Sequence, residues 1–173
     1  MSRRSLIILG FTVCLLLPVG SLSRAQDAKG GPVSVSAQDG KFVLDAAISG
    51  YHEVRMGMLG VERGTNSDLK AYAQRIVDDH ALSNAEIEAL ARLKGINLPS
   101  PTKTDAAMAR LSSLNGIEFD QEFAREAIEN HTQNLAEFEK EDQSATDPDL
   151  KGFVDAAIPK IRAHLEQAKA LKP

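Results

Sequence analysis

Residues 117–142 read IEFDQEFAREAIENHTQNLAEFEKED. Phe119, Phe123, Ala127, His131, Leu135 and Phe138 recur in steps of three or four, with mostly acidic and amide side chains between them. That spacing lines one face of an α-helix. One member of the apolar face is a histidine, so the same segment raises both the fold and the chemistry.

Three more segments repeat the pattern. Ser36-x-x-Asp39 opens a helix that runs to about Arg63, with Phe42, Ala46, Ala47, Tyr51, Val54 and Met58 as its stripe and Gly64 as its C′ residue. Asn66 or Ser67 caps a second helix that ends at Lys94 before Gly95, its stripe being Leu69, Ala73, Ile76 and Leu90. The segment quoted above is the third. Asp147-Pro148 starts the fourth, an N-cap followed by proline at the first helical position, and Leu150, Val154, Ala157, Ile161, Leu165 and Ala168 carry it to about Leu171. Pro159 is expected to kink it. Between the second and third helices lies a connector, Ile96 to Gly116, with Leu98-Pro99-Ser100-Pro101 and a short helical stretch from Asp105 to Leu114. These elements predict an all-α antiparallel four-helix bundle, the long connector crossing one end or running along its side.

Composition agrees. The chain has 173 residues, 43 % apolar and 25 % charged, with aromatics at 5 % and no Trp. That excludes global disorder and is thin for a β-sandwich. A net charge of −4 argues against nucleic acid as a partner. Residues 1–25 read as a secretory signal peptide: Arg3 and Arg4, an apolar run from Leu6 to Val19, then Ser23-Arg24-Ala25 as a cleavage site. Residues 26–38 form a Gly/Ser/Ala-rich lead-in, and residues 39–171 the bundle. The expected location is outside the cytoplasm, periplasmic or associated with the outer membrane, with no membrane span left after cleavage. Cys14, the single cysteine, leaves with the signal, so thiolate ligation, disulfides and thiol nucleophiles are all excluded.

The polar residues within the stripes are the candidate site. His80, His131 and His164 each occupy a position where a core aliphatic side chain belongs, on three different helices, and Glu53 lies beside the main stripe of the first. Counting 1.5 Å per residue from the turns puts all four near mid-bundle. His52 falls on another side of its helix and reads as solvated. Two readings stay open. The four can hold one transition-metal ion, zinc, copper or iron, because neutral imidazoles and a carboxylate suit such ions. Alternatively the bundle is a non-catalytic interaction protein of the envelope with a metal-free polar core, the histidines satisfied by Asp79, Asn84 and Asn134.

Phe42-Val43, Ala46-Ala47, Glu53-Val54, Asp78-Asp79-His80, Lys94-Gly95-Ile96-x-Leu98-Pro99, Gly116-x-x-Phe119-Asp120, Asn130-His131, Phe138-Glu139 and Ile158-Pro159-x-x-x-x-His164-Leu165 occur in that order. In them the chain resembles the exported bacterial proteins grouped as domain of unknown function 4142, over about residues 39–171. The resemblance implies a ferritin-like four-helix bundle behind a signal peptide and no established activity; His80, His131, His164 and Glu53 match residues that the family's pattern features. A di-iron centre is not encoded, because the positions three before the histidines are Ser49, Val77, Ile128 and Ile161, none acidic. No nucleophile elbow, phosphate loop, haem motif or EF-hand spacing occurs, so no catalytic residue is assigned. The export reading is checked by mass spectrometry of the protein from its native host. A mature N-terminus at Gln26 is expected; an intact Met1 or an acylated Cys14 would overturn it.

Overall fold

The computed structural model describes residues 35–101 and 106–172. The signal read in residues 1–25, and the lead-in up to residue 34, lie outside the described residues. The elements are α1 (Ala37–Arg63), α2 (Ser67–Lys94), α3 (Ala106–Ser113), α4 (Gly116–Ser144) and α5 (Pro148–Ala170), with no strand among the described residues. The chain is an all-α bundle of four long helices, and α3 is the short helix of the connector.

The helix ends follow from their caps. Ser36 Oγ accepts from the backbone N–H of Asp39 at 3.0 Å, and Asn66 Oδ1 from that of Leu69 at 2.8 Å. Asp147 Oδ1 accepts from the N–H groups of both Asp149 and Leu150. Gly95 ends α2 in the left-handed conformation, φ 69°, and the N–H of Ile96 returns to Ala91 O at 2.8 Å. Gly64 differs from the expected left-handed cap, since its φ is −52°. Its missing side chain serves packing instead: a Cβ there would lie 2.6 Å from Leu69 Cδ2. α5 continues through Pro159 and still carries Ile161 and His164 inward.

Helix α1 packs against α2 and α4, and α5 against the same two. Gln38 at the start of α1 bonds Ser144 at the end of α4, and Lys94 at the end of α2 bonds Asp149 at the start of α5. All four neighbouring pairs are therefore antiparallel. The end of α2 and the start of α4 lie at opposite ends of the bundle, so the connector runs along its side. Its α3 rests on α1 and α4, where Arg63 donates to Ser112 O.

Two buried aspartates set the axial register. Asp39, on α1, accepts from Thr146 Oγ1 and from the N–H of Asp147, in the α4–α5 turn. Asp120, on α4, accepts from Thr65 N at 3.0 Å and from the Thr65 hydroxyl, in the α1–α2 turn. Each hairpin thus holds the turn of the other. Burial works to raise the pKa of Asp39, but hydrogen bonds from Thr146, Ser36 and Asp147 overcome it and keep the carboxyl below its usual range. Lys94 Nζ, buried, reinforces the same end by pairing with Asp147 at 2.6 Å.

The apolar core falls into two clusters. One gathers Phe42, Val43, Ala47, Ile87, Leu90, Phe138, Leu150, Val154 and Ile161; the other Met56, Leu69, Tyr72, Ile76, Leu111, Phe119, Phe123 and Ala168. Between them lies a polar layer. The expected stripe of α1 needs one correction, since Met58 is 59 % exposed and Met56 is fully buried. The inward face of α1 carries Gly50, Gly57 and Gly60 in place of large side chains, and these let α1 approach its neighbours. A Cβ on Gly57 would lie 2.9 Å from Ala73 O. Gly57→Ala is therefore expected to destabilise by about 1–3 kcal/mol, outweighing the roughly 1 kcal/mol gain in helix propensity. At Gly152, on α5, a Cβ would meet nothing within 4 Å. There Gly152→Ala is expected to stabilise, by up to about 1 kcal/mol. Urea denaturation of the two variants checks the opposite signs.

Candidate metal centre

The polar layer is built from one histidine on each of three helices. α2 supplies His80, α4 His131 and α5 His164; His131 and His164 are buried and His80 is half-buried with its Nε2 enclosed. One nitrogen from each ring lies within 4.8 Å of the others. Ring centroids are 5.8 Å apart for His80 and His131, 5.5 Å for His80 and His164, and 5.3 Å for His131 and His164. The three histidines predicted to point inward do converge, His164 included.

The hydrogen bonds show which nitrogens of His131 and His164 are already engaged. His131 Nδ1 lies 2.9 Å from Ala127 O, one turn back on its own helix. His164 Nε2 lies 2.8 Å from Asp79 Oδ2 on α2. A carbonyl and a carboxylate can only accept, so these ring nitrogens carry the protons in the neutral rings. The buried ring nitrogens left without a hydrogen-bond partner are His80 Nε2, His131 Nε2 and His164 Nδ1. His131 and His164 take a form common among ligating histidines, one nitrogen anchored to a carbonyl or carboxylate and a lone pair on the other.

Electrostatics keep those lone pairs free. Burial lowers the His80 pKa to about 3, helped by His131 and His164, and lowers that of His131 to about 4 against its hydrogen bond to Ala127. Both are neutral at pH 7.

Glu53 lies outside the convergent set. It is fully buried, its Oε1 is 3.7 Å from His131 Nδ1, and neither carboxyl oxygen has a hydrogen-bond partner. Burial, then the nearby Glu126 carboxylate, raises its pKa to about 8, so it is protonated at pH 7. The Tyr72 hydroxyl is also unpartnered, its pKa raised by burial and by Glu53. Sequence periodicity placed Glu53 beside the main stripe, whereas it sits on it between Gly50 and Met56.

Of the residues expected to satisfy the histidines, one does so. Asp79 serves His164 and not its neighbour His80. Asn134 Oδ1 accepts from Ser49 Oγ at 2.9 Å. His52 is half-buried at the α1–α4 seam, 3.1 Å from Asn130 Nδ2, and not simply solvated. The Asp79–His164 pairing was hidden because α2–α5 contacts follow from tertiary register and not from spacing along either helix.

A cavity of about 40 Å³ abuts the His80 and His164 rings, lined also by Ser49, Gly50, Asn84 and Asn134. It holds a few waters or a small molecule and is far below the size of an organic-substrate pocket.

Residues 24–171 match the family model described as domain of unknown function DUF4142. The chain belongs to that family. No curated protein matches it. Among solved structures it is similar to a DUF305 fragment from Deinococcus radiodurans, with a TM-score of 0.71 and 16 % identity over 79 % of this chain and 96 % of that one. It is also similar to CopM in its Cu(I)-bound form, TM-score 0.66 and 18 % identity over 76 % and 93 %. The Cu(II)-bound form of CopM gives 0.63 and 20 % over 76 % and 94 %. At these identities the likeness concerns the fold. Among the described residues, no helix is long and apolar enough to cross a membrane.

The layer gives the metal-free protein a defined pH dependence. Below about pH 6.5 the unfolded state protonates two imidazoles that the folded state keeps neutral, so stability falls as pH drops. Glu53 acts with the opposite sign: its proton is held in the folded state up to about pH 8, so stability falls as pH rises from 4.5 to 8. The histidine contribution outweighs Glu53 on the acid side, and Glu53 acts alone on the alkaline side. Urea titrations of chelator-treated protein should show a maximum near pH 6.5, with a loss on the order of 1–2 kcal/mol by pH 8 that Glu53→Gln removes. A profile level from pH 5 to 8 would show these groups to be hydrated.

Proposed function

We propose that this protein binds a single copper ion through His80 Nε2, His131 Nε2 and His164 Nδ1, in an exported bundle that works in the periplasm or at the outer membrane. The observation that carries the proposal is a cluster of three histidines, one nitrogen of each within 4.8 Å of the others, with a buried unpartnered nitrogen on every ring. A satisfied polar core would have supplied partners for them. Burying an unpartnered polar group costs roughly 1–3 kcal/mol, and a shared cation removes that cost for all three at once.

The donor set narrows the ion. Three neutral imidazoles suit copper, zinc and iron(II), and with no cysteine in the mature chain the site offers no thiolate. The two CopM structures named for copper share this bundle, and that supports copper among the three. Ala127 O and Asp79 are the outer partners that fix the tautomers of His131 and His164. Glu53 is the nearest carboxyl behind His131 and is assigned outside the ligand set. With a cavity too small for an organic substrate, the role that fits is holding and handing on the ion as part of the envelope's response to metal stress.

Untagged protein loaded with copper and desalted is expected to retain one ion per chain by elemental analysis. Its melting transition should rise, by the equivalent of about 2.7 kcal/mol when free ion stands at a hundred times Kd. His80→Ala and His131→Ala should each abolish both effects, while Glu53→Gln keeps the stoichiometry. The proposal fails if neither copper, zinc nor anaerobic iron(II) moves the transition, or if His80→Ala responds as wild type does.

A further inference from the structure

Three helices deliver an imidazole to the centre, and the fourth delivers none. Beside the cavity α1 presents Gly50, whose Cβ would lie 2.0 Å from Asn84 Oδ1. The Asn84 amide fills the place of that missing side chain, and beside it lies the 40 Å³ cavity, lined by His80 and His164. Its remaining lining is mostly apolar, Ala46, Ile87, Phe138 and Phe153 among it, with Ser49, Ser83, Asn84 and Asn134 as polar members beside the histidines. Asn134 is fixed there by the bond from Ser49. The cavity reaches the α2–α5 seam, where Asp79, 39 % exposed, and Lys160 stand at its edge.

Closed structural sites surround an ion with four protein ligands, whereas sites that react or exchange keep three and leave one position open. We propose that an ion held by His80, His131 and His164 keeps one coordination position open toward this cavity, and that the position takes an exogenous ligand of up to about three heavy atoms, such as hydroxide, peroxide or a small anion. The inference rests on the metal reading above. It goes beyond it in making the centre an exchange site with a ligand chamber and not a buried plug. Ser49, Asn84 and Asn134 supply hydrogen bonds to the bound ligand, and the small lining residues Gly50 and Ala157 set the size limit.

Azide is the probe. Protein loaded with one Cu(II) per chain is titrated with azide, and the azide-to-copper charge-transfer absorption is followed. The expected result is a band that saturates at one azide per copper. Two variants fill the chamber from opposite sides, Gly50→Ala by pushing the Asn84 amide inward and Ala157→Leu from α5. Each should weaken azide binding at least tenfold while copper stays at one per chain. If copper binds at one per chain and azide leaves the spectrum unchanged, the open position is wrong and the metal centre stands. The proposal is equally overturned if both filled variants bind azide as tightly as wild type. If no copper is retained, the metal reading fails and this inference falls with it. The wild-type titration decides alone should a filled variant not fold.

Discussion

The two reciprocal aspartate clamps are the constraint on which the rest depends. A four-helix bundle with simple apolar stripes tolerates sliding, because one turn of offset exchanges one aliphatic contact for another. Asp39 and Asp120 remove that freedom by holding turn backbone groups at opposite ends of the molecule. A slip of one helical turn, about 5.4 Å, would break both sets of bonds inside buried surroundings. With the ends fixed, the heights of His80, His131 and His164 are fixed as well. Three nitrogens from three separate helices meet within 4.8 Å because both hairpins are pinned to each other.

The polar layer that results divides the core. On either side lie aromatic and aliphatic clusters dense enough to carry the fold. Within it lie three imidazoles and Glu53, all with polar atoms unpartnered in the protein. Such a layer lowers the stability of the metal-free chain, and sequences that keep local violations of this kind commonly do so at functional sites. The arrangement is also asymmetric. His131 is backed by a carbonyl and then by a protonated Glu53, whereas His164 is backed by Asp79 at the edge of the cavity. The buried side of the centre is closed and the α2–α5 side is the one that meets solvent.

Much of this was legible in the sequence because helix periodicity and capping are local. The stripes of α2, α4 and α5 were readable from spacing alone, as were the caps at Ser36, Asn66, Asp147 and Gly95. The three inward histidines were visible as interruptions of those stripes. What escaped was non-local. The true inner face of α1 is marked by Gly50, Gly57 and Gly60, which carry no hydropathy signal, so Met58 was read as core and Glu53 as lying beside the stripe. Asp39 gave a cap signal and concealed its larger role at the far turn. Asp79 stood next to His80 in sequence yet serves His164, and only the α2–α5 register reveals that.

The most direct test of the central claim is X-ray absorption at the copper edge of the one-to-one copper protein. Three imidazole nitrogens are expected at about 2.0 Å, with the outer-shell scattering of intact rings and no sulfur neighbour. A first shell of oxygen alone, or one containing methionine sulfur, would place the ion elsewhere on the protein and contradict the account.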